Sequence, residues 1–440
     1  MASTSGHQPR FWLALLTITL LLAGCASPVP TASPALTATP PPTATPTLTP
    51  TPMAPATPVA VVATPTPLPT GTATAWPTAP VGRSWRRVTN PRLVDLQGAV
   101  AGVMAGGPGS IAWGRVDGMG PRIWTSTDGA DWEPAIFRDP LGTDVSTWRV
   151  GGVVDVTAGG PGYVAVGWYV PRGLEGPWAV ALVWTSVDGR TWRQVPLGPA
   201  FADSQIARVI RWRGELLAFG SGPWHGVGGA PAIGWTSTDG VRWTRFTPSC
   251  PSSVEVLELN DVTSWSGALL ALGWAGVTTI EDPHASGPPR FTSLDGRTWS
   301  LSRLPYIAPG ERLHPLPGGL YMTATLAGTS TSPAWMIRQP GVYRSTDGMT
   351  WTPLAVGKPL GDEIVATGET LWMVGTAAWR STDGGRTWRT VPVKGAVPAG
   401  VTYWEMTTAA VLADGTLVAA GIEGGPRLAG SRTAVWVATP

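Results

Sequence analysis

Ser381-Thr382-Asp383-Gly384-Gly385-Arg386-Thr387-Trp388 is the last of six related stretches, each Ser-Xaa-Asp-Gly followed closely by Trp. The earlier five are Ser126-Thr127-Asp128-Gly129 to Trp132, Ser186-Val187-Asp188-Gly189 to Trp192, Ser237-Thr238-Asp239-Gly240 to Trp243, Ser293-Leu294-Asp295-Gly296 to Trp299 and Ser345-Thr346-Asp347-Gly348 to Trp351. Asp-Gly between two strand-like runs is a strong tight-turn signal. Glycine tolerates positive φ, and the aspartate side chain bonds to nearby backbone amides. The serine hydroxyl has a further turn amide to satisfy, and the tryptophan opens the outgoing strand with a large apolar face. The unit is a hairpin.

Outward from each turn the pattern continues. An aromatic strand precedes it, as in Ile123-Trp124-Thr125 and Ala378-Trp379-Arg380, and a Gly-rich apolar strand precedes that, as in Val164-Ala165-Val166-Gly167 and Leu270-Ala271-Leu272-Gly273. The turn tryptophans lie 60, 51, 56, 52 and 37 residues apart, a spacing that suits four-stranded propeller blades. Ser84-Trp85-Arg86-Arg87-Val88 resembles the segment after a turn, and Val435-Trp436-Val437-Ala438-Thr439 the strand before one. Joined, they complete one blade. Residues 83–440 divided by a period of about 51 predict an all-β, seven-bladed propeller of four-stranded antiparallel blades, its ring closed by strands from both ends. Such a ring avoids the size at which single cores split, because each blade packs only on its neighbours.

The motif resembles the Asp-box, or BNR repeat, and residues 381–388 match its full form Ser-Xaa-Asp-Xaa-Gly-Xaa-Thr-Trp. The resemblance implies that Asp128, Asp188, Asp239, Asp295, Asp347 and Asp383, with Trp132, Trp192, Trp243, Trp299, Trp351 and Trp388, are structural, sitting between third and fourth strands away from any substrate. Sialidases carry such repeats, and resemblance to them would imply an Arg triad, a Tyr–Glu nucleophile pair and an Asp acid/base. The nearest string to their first Arg motif, Phe137-Arg138-Asp139-Pro140, has Asp in place of Ile and follows the first turn. Tyr403-Trp404-Glu405 puts a Tyr and a Glu on one face of a strand. Asp-box propellers of seven blades also occur in xyloglucanases, which pair two carboxylates across the scissile bond. The chain is equally similar to photosystem II assembly-factor propellers, which are not enzymes.

Composition agrees with many short strands. Of 440 residues, 56 are Gly and 46 Pro, and only 13% are charged, about half the usual share. The 30 basic and 28 acidic residues form no like-charge run, so no stripe exists for a nucleic-acid backbone. Residues 26–82 hold no charged side chain but 16 Pro and 15 Thr, the composition of a disordered spacer that extends by about 3.1 Å per residue. Before it, Phe11 to Leu22 is too short to span a bilayer and reads as a signal segment. Leu22-Ala23-Gly24-Cys25 resembles a bacterial lipobox, which implies cleavage before Cys25 and its acylation. The expected organisation is a signal peptide over 1–24, a lipid-anchored Pro/Thr linker over 25–82 and the propeller over 83–440, exported and held at the outer side of a bacterial membrane.

With Cys25 lipidated, Cys250 has no disulfide partner. No metal site or cofactor is expected, since His225, His284 and His314 lie far apart and no phosphate-binding Gly loop occurs. The connections after the second strands vary most, and variable loops of repeat proteins gather on one face, often the binding face. They carry Arg172, Trp178, Trp224, His225, Asp282, His284, Trp335 and Arg338, the candidate ligand face. The expected molecule is a monomer that binds a protein or a cell-envelope polysaccharide without catalysis; the alternative is a sialidase-like glycoside hydrolase.

Overall fold

A computed structural model describes residues 84–438, apart from 90–91, 94–97, 118–119, 139–147, 172–178, 197, 224–229, 251–254, 277–288, 304–309, 325–340, 357–360, 362, 396–399 and 426–430. The signal segment, Cys25 and the Pro/Thr linker lie outside them. Seven antiparallel sheets follow one another along the chain, and each is one blade of a β-propeller. Blade 1 is Gly98–Gly106, Gly109–Val116, Gly120–Ser126 and Trp132–Pro134, in that order from the inner strand outward. Blades 2 to 6 repeat this up-and-down order with inner strands Trp148–Gly159, Gln205–Trp212, Glu255–Trp265, Gly310–Leu316 and Glu363–Thr367. Blade 7 takes Tyr403–Val411, Leu417–Gly424 and Arg432–Ala438, and its outer strand is Trp85–Arg87 from the other end of the described chain.

That closure is antiparallel, Arg86 opposite Val437 and Arg87 opposite Trp436. Trp85 is fully buried among Trp372, Met406, Leu417 and Trp436. Arg87 forms a buried ion pair with Glu423, whose second contact is Arg432 at 3.0 Å. The ring is thus fastened by apolar burial and by charge at one seam.

Two blades gain a fifth strand beyond the four expected. Ile136–Arg138, leaving blade 1, runs parallel to Thr191–Gln194 of blade 2, and Val393–Lys394, leaving blade 6, runs parallel to the Trp85–Arg87 strand. An outer strand presents unpaired backbone groups, and the chain crossing to the next blade satisfies some of them.

The turns behave as their chemistry requires. At Ser126, the hydroxyl donates to Asp128 Oδ1 at 3.0 Å and accepts the Gly129 N–H at 2.9 Å. Asp128 Oδ1 also accepts the N–H groups of Ala130 and Asp131, and the Trp132 indole N–H donates to the Gly129 carbonyl at 2.8 Å. The same serine–aspartate bond recurs at Asp188, Asp239, Asp295, Asp347 and Asp383. Each turn also packs against the preceding blade. Gly296 adopts φ 74°, and a Cβ there would lie 2.4 Å from Leu217 Cδ1. Glycine is required twice over, by conformation and by the approach of a neighbouring strand. Trp132, Trp192 and Trp299 are fully buried, whereas Trp243, Trp351 and Trp388 are half-buried.

Candidate functional site

Up-and-down connectivity sorts the loops onto two faces. The six turns share one face with the hairpins joining first and second strands, and Gly107 accordingly lies against the Asp188 turn of the next blade. The connections from second to third strands lie on the opposite face. Arg172, Trp178, Trp224, His225, Asp282, His284, Trp335 and Arg338 all fall outside the described residues. What is described between the two faces is the central channel, walled by the inner strands.

The channel carries a feature that sequence reasoning missed. Register shifts by one residue in the inner strands of blades 2, 3, 4 and 5, and the residue after each irregularity is Asp155, Arg208, Asp261 and Arg312 respectively. Glu363 takes the corresponding place in blade 6 and Thr408 in blade 7. Five neighbouring blades therefore contribute charges of alternating sign. Arg208 bonds to Asp261 and lies 3.6 Å from Asp155, while Arg312 bonds to Glu363. His314, 4% exposed, places Nδ1 3.3 Å from Glu363 and Nε2 3.2 Å from the Thr323 hydroxyl.

The aspartates also reach the backbone of the following blade. Asp155 Oδ2 accepts the Val209 N–H at 2.9 Å, and Asp261 Oδ2 accepts that of Leu313. Thr408 does the same for Val103 across the seam between blades 7 and 1. Burial pushes the Asp155 carboxyl above its usual range against the pull of Arg208. Burial acts the same way on Glu363, but Arg312 and His314 outweigh it and hold that carboxyl low. Arg208, opposed by its own burial, is held more firmly protonated by Asp261 and Asp155. Among the described residues no three His, Cys, Asp or Glu side chains are arranged to hold a metal ion.

A second polar pair lies on the inner strand of blade 7. The Tyr403 hydroxyl donates to Glu405 Oε2 at 2.7 Å, so the alternation in the sequence does bring the two together. Glu405 is 5% exposed, and burial raises its carboxyl from 4.5 to about 7. The sign of the consequence follows. Below pH 4.5 the group is neutral whether folded or unfolded, and its burial costs least. As pH rises from 4.5 to 7 the unfolded chain ionises first, so stability falls and then levels off. Glu405→Gln is expected to remove this slope, which amounts to about 3 kcal/mol between pH 4 and pH 8. Denaturant titrations of both proteins at the two pH values check this; identical slopes would mean that Glu405 is ionised in the fold.

Comparison with known proteins adds little beyond architecture. No family model matches the chain, and no curated protein matches it. Among solved structures, YCF48 bound to D1 peptide aligns over 81% of this chain and 96% of its own, with 15% identity and a TM-score of 0.48. A protein of unknown function from Dyadobacter fermentans aligns over 81% of this chain and 98% of its own, at 11% identity and a TM-score of 0.46. A subtype N10 neuraminidase-like protein of A/little yellow-shouldered bat/Guatemala/060/2010 aligns over 81% of this chain and 98% of its own, at 9% identity and a TM-score of 0.35. Likenesses of this size concern the propeller fold alone and say nothing of ligand or activity.

Proposed function

We propose that the protein is an exported, lipid-anchored propeller that binds a protein or a cell-envelope glycan without transforming it. The observation that carries this reading is the state of the channel arginines. Arg208 and Arg312 are each engaged by carboxylates of adjacent blades. A substrate carboxylate would have to displace contacts that hold the ring together, and a buried pair broken on one side costs about 3–5 kcal/mol. On the turn face the serine and aspartate groups are consumed within the turns. The principal recognition surface on this reading is the connection face, whose sequence contains Trp178, Trp224, His225 and Trp335 beside the charged Arg172, Asp282, His284 and Arg338.

A paired series separates the faces. Asp239→Ala is expected to lower stability by about 1 kcal/mol through loss of turn hydrogen bonds, with binding unchanged. Trp178→Ala, Trp224→Ala and Trp335→Ala are expected to leave melting in place and weaken capture of envelope glycans or proteins by the full chain. Loop variants that unfold the chain, beside turn variants that abolish binding in folded protein, would reverse the assignment. The anchor has its own test: Cys25→Ser should release the protein from membranes or block processing. Unchanged membrane association with an unmodified mature N-terminus would sink the lipoprotein reading.

One observation favours the second reading, a glycoside hydrolase of sialidase-like type: the Tyr403–Glu405 hydrogen bond beside the channel. Turnover of a fluorogenic sialoside that vanishes in Tyr403→Phe would establish it. No turnover by folded protein supports the binding reading.

A further inference from the structure

The turn face carries a groove of its own over blades 3 to 5. One lobe, of about 370 Å³, lies between Trp212, Trp265 and the Pro315-Leu316-Pro317 segment, with Ser264, Ser266 and Gly267 beside it. A second lobe, of about 530 Å³, continues from Trp265 and Ser266 past Thr298 to the Asp295 and Asp347 turns and Met349. Trp265 and Ser266 belong to both. Trp212, Trp265 and Leu316 end the inner strands of three successive blades, so the groove crosses the blades instead of sitting within one.

Its walls are held in place. Arg213 stacks over the Trp212 ring at 5.1 Å and donates to the Gly267 carbonyl at 3.3 Å, which bridges the hairpins of blades 3 and 4. The Trp265 indole N–H donates to the Thr346 carbonyl at 3.3 Å. Beneath the far rim, Arg290 is 2% exposed and donates to the carbonyls of Gly348 and Met349. Of the five large apolar side chains exposed among the described residues, two, Leu294 and Met349, border the groove.

We infer that this groove is a binding site for a neutral oligosaccharide, with Trp265 as the shared stacking platform. Indole faces take the C–H face of a pyranose, and serine and threonine hydroxyls meet its hydroxyl groups. The carboxylates of Asp295 and Asp347 at the second lobe disfavour an anionic chain, since like charges repel across a short gap. The length across two lobes suits several sugar units over one. This site is separate from the connection face and stands or falls without it.

The test titrates the full chain with cellohexaose, laminarihexaose and maltohexaose, with sialyllactose and a (Thr-Pro)6 peptide alongside, following tryptophan fluorescence and heat. Saturable binding of at least one neutral hexasaccharide is expected, weakened by about tenfold or more in Trp265→Ala. Ser266→Arg, at an exposed position that fills the groove, should weaken it equally without a change in melting, which covers the case where Trp265→Ala misfolds. Trp224→Ala and Trp335→Ala should leave this binding untouched. No saturable binding of the three hexasaccharides, binding unaffected by Ser266→Arg, or tighter binding of sialyllactose or the peptide would overturn the assignment.

Discussion

Deletion of Ser84–Val88 is expected to open the ring and leave a chain that melts far lower or aggregates. The segment takes with it Trp85, fully buried, and the Val88 N–H bond to the Val435 carbonyl. Emptying the Trp85 site alone costs about 3–5 kcal/mol. Removing Arg87 leaves Glu423, 1% exposed, with Arg432 as its remaining charged contact among the bonds described above. Breaking such a buried pair costs a further ~3–5 kcal/mol. Set against a typical folding free energy of about 5–15 kcal/mol, the sum approaches the whole. The deletion also uncovers the Arg432–Ala438 strand, and a bare apolar edge invites association. Melting temperature and gel-filtration profile of the deleted and intact chains measure both effects. A deleted chain that stays monomeric with unchanged melting would show that the seam carries no stability.

Arg208→Leu is expected to produce the largest loss from any single side chain in the channel. Asp155 and Asp261 are 7% and 5% exposed, and Arg208 is the cation common to both. Without it two buried carboxylates, one on blade 2 and one on blade 4, are left without their shared cation on blade 3, and a loss of about 3–5 kcal/mol follows. The loss should shrink towards acid pH, because burial already raises the Asp155 carboxyl and its protonation relieves the repulsion. Asp155→Asn in the same chain should recover part of it at neutral pH for the same reason. Urea midpoints at pH 5 and pH 8 for the single and double variants resolve the three claims. An unchanged midpoint for Arg208→Leu at pH 8 would mean that the alternating charges make no net contribution.

The propeller was legible because its evidence is local. Ser126 to Trp132 states a turn in seven residues, and five further copies state the same turn at near-regular intervals. Even the long-range closure could be read, since Trp85-Arg86-Arg87-Val88 is half of a pattern whose other half stands at Val435–Ala438. The channel charges were harder to see. Alternation along an inner strand would normally reveal which side chains face inward, but the register shift next to Asp155, Arg208, Asp261 and Arg312 flips that alternation. The signal was a single charged residue followed by Val or Leu at intervals of 53, 53 and 51 residues, in strands that precede the Gly-rich runs and carry no turn motif of their own. The fifth strands escaped for another reason: a three-residue parallel pairing such as Ile136–Arg138 with blade 2 has no turn to announce it. Trp212 and Trp265 lie outside the turn motif, and only folding sets them side by side at one groove.

The seam between Arg86 and Val437 joins residues 351 positions apart in the chain. At a synthesis rate of about 5–20 residues per second, the strand that completes blade 7 waits roughly 20–70 s for its partner. Blades 1 to 6 are built from neighbouring segments and can form in order, while blade 7 combines the earliest strand with the latest. Its pairing is the contact of highest sequence separation, and loop-closure entropy opposes it until the intervening blades have brought the two ends together. Ring closure is therefore expected to be the slow, final event of folding, and a chain caught before it would display two complementary unpaired strands able to join those of a second copy in a swapped dimer.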